Sequence, residues 1–122
     1  MKDNKKIKER AYEFAIDIIK FVRKLPKDTA GFVVGRQLLK SGTSIGANVE
    51  EATGAFSKDD FIFKMNIALK EARETNYWLR LVCDAGMMKD IDVKDTLNES
   101  KNLKNILSAI VKTSKERRKG LT

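Results

Sequence analysis

Residues Ser41–Leu81 read SGTSIGANVEEATGAFSKDDFIFKMNIALKEARETNYWLRL, and the punctuation of this stretch decides the fold. Thr53, Gly54, Ala55 and Phe56 interrupt the helical pattern, and Ser57 then offers a side-chain oxygen to the free N–H groups of a new helix. Asp59 and Asp60 place negative charge in the positive first turn of that helix. The spacing predicts a helix over 57–84, stopped at Gly86, where glycine adopts a left-handed conformation without penalty. Ahead of the break, a helix over 29–52 carries Gly31, Gly35, Gly42 and Gly46 within an arc of about 60° on a helical wheel. Each glycine costs roughly 1 kcal/mol relative to alanine in a helix interior, so the row predicts a groove in which another helix closely approaches the backbone. A phosphate-cradling loop is the rival reading. GTSIGAN, however, lacks the Lys-Ser/Thr ending of a P-loop and has no strand before it.

Upstream, Ile7, Ala11, Phe14, Ile18 and Val22 recur at helical spacing and predict a helix over 5–24. Leu25-Pro26-Lys27-Asp28 ends it, since the ring of Pro26 cannot continue the hydrogen-bond ladder. Downstream, Leu97, Leu103, Leu107, Ile110 and Val111 predict a last helix over 92–118. Short connections favour antiparallel neighbours. The expected architecture is an all-α, up-down-up-down antiparallel four-helix bundle, with residues 1–122 forming one domain.

The segments SGTSIGANVEEA, AFSKDDFIFKMNIALKEARET and YWLRL resemble the small four-helix-bundle proteins encoded in intervening sequences of bacterial 23S ribosomal RNA genes, often labelled ribosomal proteins. The same superfamily includes the accessory variability determinant of diversity-generating retroelements, a basic bundle that associates with a reverse transcriptase and nucleic acid. The resemblance covers nearly the whole chain. It implies assembly as a homo-oligomer, a ring of five, and brings no catalytic activity with it.

Composition narrows the function classes. Hydrophobic residues make up 42% and charged residues 34% of the chain, which fits a soluble helical protein rather than a disordered one. Glu13, Asp17 and Lys20 interrupt the first apolar segment, so neither a signal peptide nor a membrane span is expected, and the cytoplasm is the default compartment. A lone Cys83 suits reducing surroundings. There is no histidine, which disfavours general acid–base catalysis, zinc sites and the Glu-x-x-His di-iron sites of ferritin-like bundles. The expectation is a protein that is not an enzyme and needs no cofactor or metal.

The net charge of +8 is concentrated at the ends of the chain. Residues 1–10 hold five cations against Asp3 and Glu9, a net of +3. Residues 112–122 hold Lys112, Lys115, Arg117, Arg118 and Lys119 against Glu116, a net of +4. An up-down-up-down bundle brings both ends of the chain to one end of the bundle, a surface suited to a polyanion. Lys112, Lys115, Arg117, Arg118 and Lys119 are the expected phosphate contacts, supported by Lys5, Lys6 and Lys8, with RNA, including ribosomal RNA, as partner. Glu50, Glu51, Asp59 and Asp60 lie near that end and offset part of the charge. No sequence-specific readout motif accompanies it. The competing reading is that these cations solvate helix ends and complement the dipole of the last helix.

The helix over 57–84 has a second apolar row, Phe63, Ile67, Tyr77, Trp78 and Leu81 with Glu74 among them. Tyr12, Ile16 and Ile19 repeat it more faintly on the first helix. A lone bundle needs one apolar stripe per helix, so these residues predict an oligomer interface or a surface for a dedicated protein partner. Scattered surface hydrophobes are the plainer alternative. Glu71, Arg73 and Glu74, within the resemblance, are expected to form an ion-pair network at a subunit interface. Cys83 falls on the core stripe and reads as a small buried hydrophobe.

Overall fold

The computed structural model describes residues 2–120, with side chains described from Lys6 to Gly120. Four helices make up the architecture: α1 (Lys2–Val22), α2 (Thr29–Thr53), α3 (Lys58–Asp84) and α4 (Asp90–Arg118). No strand occurs among the described residues, and none of these helices is long and apolar enough to cross a membrane.

The local signals explain most of the helix ends. Asp28 caps α2 by accepting from the Gly31 N–H at 2.8 Å, and Ser57 caps α3 by accepting from the Asp60 N–H at 3.0 Å. After α3, Gly86 takes a φ of 67°, its N–H reaching the Cys83 carbonyl while the Met87 N–H reaches that of Val82. This pair of bonds is a Schellman stop, which requires a left-handed residue where glycine sits.

Three ends differ from expectation by two residues or more, the first being the start of α1, at Lys2 rather than residue 5. Helix α1 stops at Val22 rather than residue 24, because the Lys24 and Leu25 N–H groups bond three residues back, to Phe21 and Val22. Pro26 disfavours a helical Leu25, and the tightened turn leaves that side chain buried in the core. Helix α4 begins at Asp90 rather than residue 92, capped by the backbone of Lys89 without a side-chain hydrogen bond. Asp90 and Asp92 supply the favourable first-turn charge.

Each helix packs on its chain neighbours, α1 and α4 meet along the smallest strip, and among the described residues the diagonal pairs have no close backbone approach. Hydrogen bonds and ion pairs show antiparallel order. Thr75 pairs with Ser41 and Lys64 with Glu51 across α2–α3, while Asn76 pairs with Ser100 and Asp59 with Arg118 across α3–α4.

The core is filled by Phe14, Ile18, Leu38, Ile45, Met65, Leu79, Leu103 and Leu107, among others. Within it, the Thr75 and Ser41 hydroxyls lie 2.9 Å apart, and Thr75 Oγ1 is 2.8 Å from the Glu71 carbonyl. Thr75 has one proton, so when it donates to that carbonyl Ser41 supplies the proton between the hydroxyls, and both buried groups are satisfied.

The glycine row of α2 faces α1 and the turn that follows it. A β-carbon at Gly42 would lie 2.8 Å from Ile18 Cγ1, one at Gly46 3.3 Å from the Ala11 carbonyl oxygen, and one at Gly35 3.2 Å from Val22 Cγ1. The row is the close-approach groove that its spacing predicts.

Candidate nucleic-acid interface

Antiparallel order brings the C-terminal turns of α4 against the start of α3. Lys112, Lys115, Arg117, Arg118 and Lys119 are all exposed, and Arg118 Nη1 donates to Asp59 Oδ1 at 3.0 Å. Asp59 therefore offsets part of the charge at this end, and the other four cations make no ion pair among the described residues. Lys6 and Lys8 are exposed on α1, whereas the side chain of Lys5 lies outside the described residues.

Arg10, a few residues further along α1, donates through Nε to Glu99 Oε2 at 3.1 Å and through Nη2 to Glu99 Oε1 at 2.7 Å. Both side chains are about one-third exposed, so the pair contributes on the order of 0.5–1 kcal/mol. The Glu99 hydrogen bond is the largest influence raising the Arg10 pKa. Counting from this pair at 1.5 Å per residue, Lys6 and Lys8 stand beside the Lys101–Leu103 turn of α4, short of its final turns. The two basic segments therefore adjoin in succession along the bundle.

A second basic surface runs between α3 and α4. A groove of about 460 Å³ is lined by Arg73, Asn76, Arg80, Lys104, Asn105 and Ser108, with no carboxylate among them. Asn76 Nδ2 donates to the Ser100 hydroxyl at 3.0 Å, and Asn76 Oδ1 accepts from Arg80 Nε at 3.0 Å. The Arg80 guanidinium also lies 5.9 Å from the Tyr77 ring centroid. A different groove, about 630 Å³ between α1 and α4, mixes Asp17, Asp92 and Asp95 with Lys20, Lys24 and Lys89 and has no single sign of charge.

The KEARET segment does not act as a unit within the chain. Arg73 lines the α3–α4 groove, whereas Glu71 lies toward Lys40 of α2 and, with Glu74, makes no ion pair among the described residues. Burial, and then the nearby Glu74 charge, push the Glu71 carboxyl above its ordinary pKa, while Lys70 and Lys40 oppose the shift. Adjacent helix positions diverge by 100°, which separates Arg73 from both glutamates.

The second apolar row is partly uncovered. Phe63 is 61% and Tyr77 47% exposed, while Ile67, Glu74, Trp78 and Leu81 are half-buried. Trp78 packs against the core of its own bundle with an unpartnered, buried indole N–H, and its ring meets Tyr77 edge-on at 5.1 Å. On α1, Tyr12 is 62% exposed, with Ile16 and Ile19 beside it. Because α1 and α3 occupy diagonal corners, the rows form two separate surfaces rather than one. Phe32, Val33 and Leu39 on α2, Phe56 before α3 and Ile91 on α4 add exposed apolar area that helix periodicity alone did not single out.

Cys83 departs from its expected place in the core. It is half-buried, and its thiol donates to Asp90 Oδ1 at 3.3 Å. That hydrogen bond favours the neutral thiol and is the first cause of its raised pKa, with desolvation second. Cys83 should therefore alkylate more slowly with iodoacetamide at pH 8 than an ordinary thiol. Asp90→Asn should lower the pKa and speed the reaction; superimposable rate–pH profiles for the two proteins would refute this account.

Comparison with known proteins gives two findings. A family profile described as 23S rRNA-intervening sequence protein matches residues 3–109. A crystal structure from Bacteroides thetaiotaomicron, of a protein with unknown function from the S23 ribosomal protein family, is 40% identical with a TM-score of 0.83, over 90% of this chain and 98% of that one. No curated protein matches.

Proposed function

The chain belongs to the 23S rRNA-intervening sequence protein family, and from that premise we propose that it is a non-enzymatic, RNA-associated scaffold or accessory protein of the cytoplasm. The observation that carries this reading is the run of five exposed cations over the last turns of α4, only one of them ion-paired among the described residues. Phosphates neutralised by such a surface release condensed counterions, so affinity depends on salt. Ribosomal RNA is the first substrate to test, because the family's name places its genes within 23S rRNA loci.

Self-assembly is the second part of the proposal. Exposed rows on diagonal helices suit a head-to-tail contact, in which one surface of a subunit meets the other surface of the next. Where the rotation between subunits closes, a contact of that kind gives a ring, here taken as five members. The exposed Phe63 row also supports a second reading, a module binding a dedicated protein such as a reverse transcriptase without touching nucleic acid.

Fluorescence anisotropy of a structured ribosomal RNA fragment across a salt series tests the first reading. Neutralising Lys112, Lys115, Arg117, Arg118 and Lys119 to Gln should lower the salt slope by about 3–4 and weaken binding on the order of 100-fold. A wild-type assembly that fails to bind near physiological salt sinks RNA association and leaves the protein-partner reading.

A further inference from the structure

We propose that the α3–α4 groove is a site for the phosphodiester backbone of a single nucleic-acid strand, continuous with the basic end of α4. The proposal rests on the RNA reading above and adds a contact that the two charged termini do not contain. Its basis is the arrangement of Arg73, Arg80 and Lys104 around a cleft otherwise lined only by amide and hydroxyl groups. None of the three cations has an ion-pair partner among the described residues, so their charge is available to a ligand.

Arg80 is already oriented. Its Nε is held by Asn76, which is itself anchored on the buried Ser100 hydroxyl, and this leaves the two terminal nitrogens of the guanidinium to face an anion. A guanidinium fixed in this way loses less side-chain entropy on binding than a free one. Tyr77, at the edge of the α3 apolar row, borders the groove through this guanidinium, which lies 5.9 Å from its ring centroid. Cationic contacts to the strand with an adjacent aromatic are what sequence-tolerant single-strand binding uses.

The groove does not end in isolation. Lys101, Lys104, Ser108, Lys112 and Lys115 recur at spacings of three and four residues and so share one face of α4, a strip of about 20 Å at 1.5 Å per residue. That strip joins the groove to the α4 terminus. A strand laid along it reaches both surfaces, whereas the α1–α4 groove, with as many aspartates as lysines, offers no such path.

The test is anisotropy of a labelled single-stranded 20-nucleotide RNA, with DNA of the same sequence as a second arm, across a salt series. It compares wild type, a groove variant (Arg73→Gln, Arg80→Gln, Lys104→Gln) and the α4-end variant, each checked for helicity and assembly size. Loss of three phosphate contacts should reduce the salt slope of the groove variant by about 2 and its affinity about tenfold or more. The single Lys104→Gln should lower the slope by about 0.7, which keeps the proposal testable if the triple variant misfolds.

Equal losses on RNA and DNA place recognition on the shared backbone; a loss confined to RNA overturns the backbone assignment in favour of the 2′-hydroxyl. A groove variant that binds like wild type while the α4-end variant does not overturns the groove and spares the RNA reading. Absence of wild-type binding overturns both. A groove variant with altered assembly size and unchanged affinity overturns the proposal by assigning the groove to a subunit contact.

Discussion

Replacing Gly31 with alanine should destabilise the bundle by about 2–3 kcal/mol, even though alanine is the better helix former by roughly 1 kcal/mol. A β-carbon there would lie 1.8 Å from the Pro26 carbonyl oxygen and 2.8 Å from its carbon. These are backbone atoms of the turn that ends α1 and seats Leu25 in the core, so no rotamer change relieves the collision. The same residue also gives its N–H to the Asp28 cap, so displacing it weakens the start of α2. Thermal unfolding should show a melting temperature lower by roughly 10 °C. Gly54→Ala is the control, since its added carbon meets nothing closer than the Glu51 carbonyl oxygen at 3.8 Å. A change within about 0.5 kcal/mol is expected there. Equal melting temperatures for the two variants would mean that the Pro26 turn moves aside without cost.

Placing a charge on the second apolar row should dissociate the proposed assembly while leaving each bundle folded. Phe63 is 61% exposed and lies outside the core of its own subunit, so Phe63→Lys removes little internal packing. At a subunit contact the same change forfeits about 1.5–3 kcal/mol of apolar burial and introduces an unpaired buried charge costing several kcal/mol more. A shift of that size weakens each contact more than 100-fold. Light scattering at micromolar concentration should then report a monomer whose helicity matches wild type. Tyr12→Lys, on the diagonal helix, distinguishes the geometries. Head-to-tail contact requires both surfaces, so either change breaks the ring, whereas a contact pairing the α3 row with itself fails only with Phe63. A wild-type protein that is itself monomeric ends the assembly proposal.

What was legible in the sequence follows from the range of each signal. The Ser57 cap, the Gly86 stop and the α2 glycine row depend on residues within one or two turns, and the structure places them as expected. The C-terminal end of α1 and the start of α4 shifted because a three-residue hydrogen-bond pattern before Pro26 and a backbone-only cap at Lys89 leave no side-chain mark. The α4 terminal cations are exposed as expected, but the α3–α4 groove went unseen. Arg73 and Arg80 recur on one side of α3, yet nothing local says that Lys104, on the next helix, faces that side rather than the opposite one. The helical wheel did separate Arg73 from Glu71 and Glu74. Within one chain Arg73 therefore points away from both glutamates, and the network expected of the three can form only between subunits.

The small strip between α1 and α4 also has a kinetic meaning. Every other close backbone approach between helices among the described residues joins chain neighbours, so three successive helical hairpins can form by closing short loops. The seam held by Arg10 and Glu99, which are 89 residues apart, is the exception: it closes the longest loop for the least buried contact. This topology implies an order of events in which α2 and α3 provide the surface on which the outer helices dock, and the chain's first and last helices meet only when the rest of the bundle is in place.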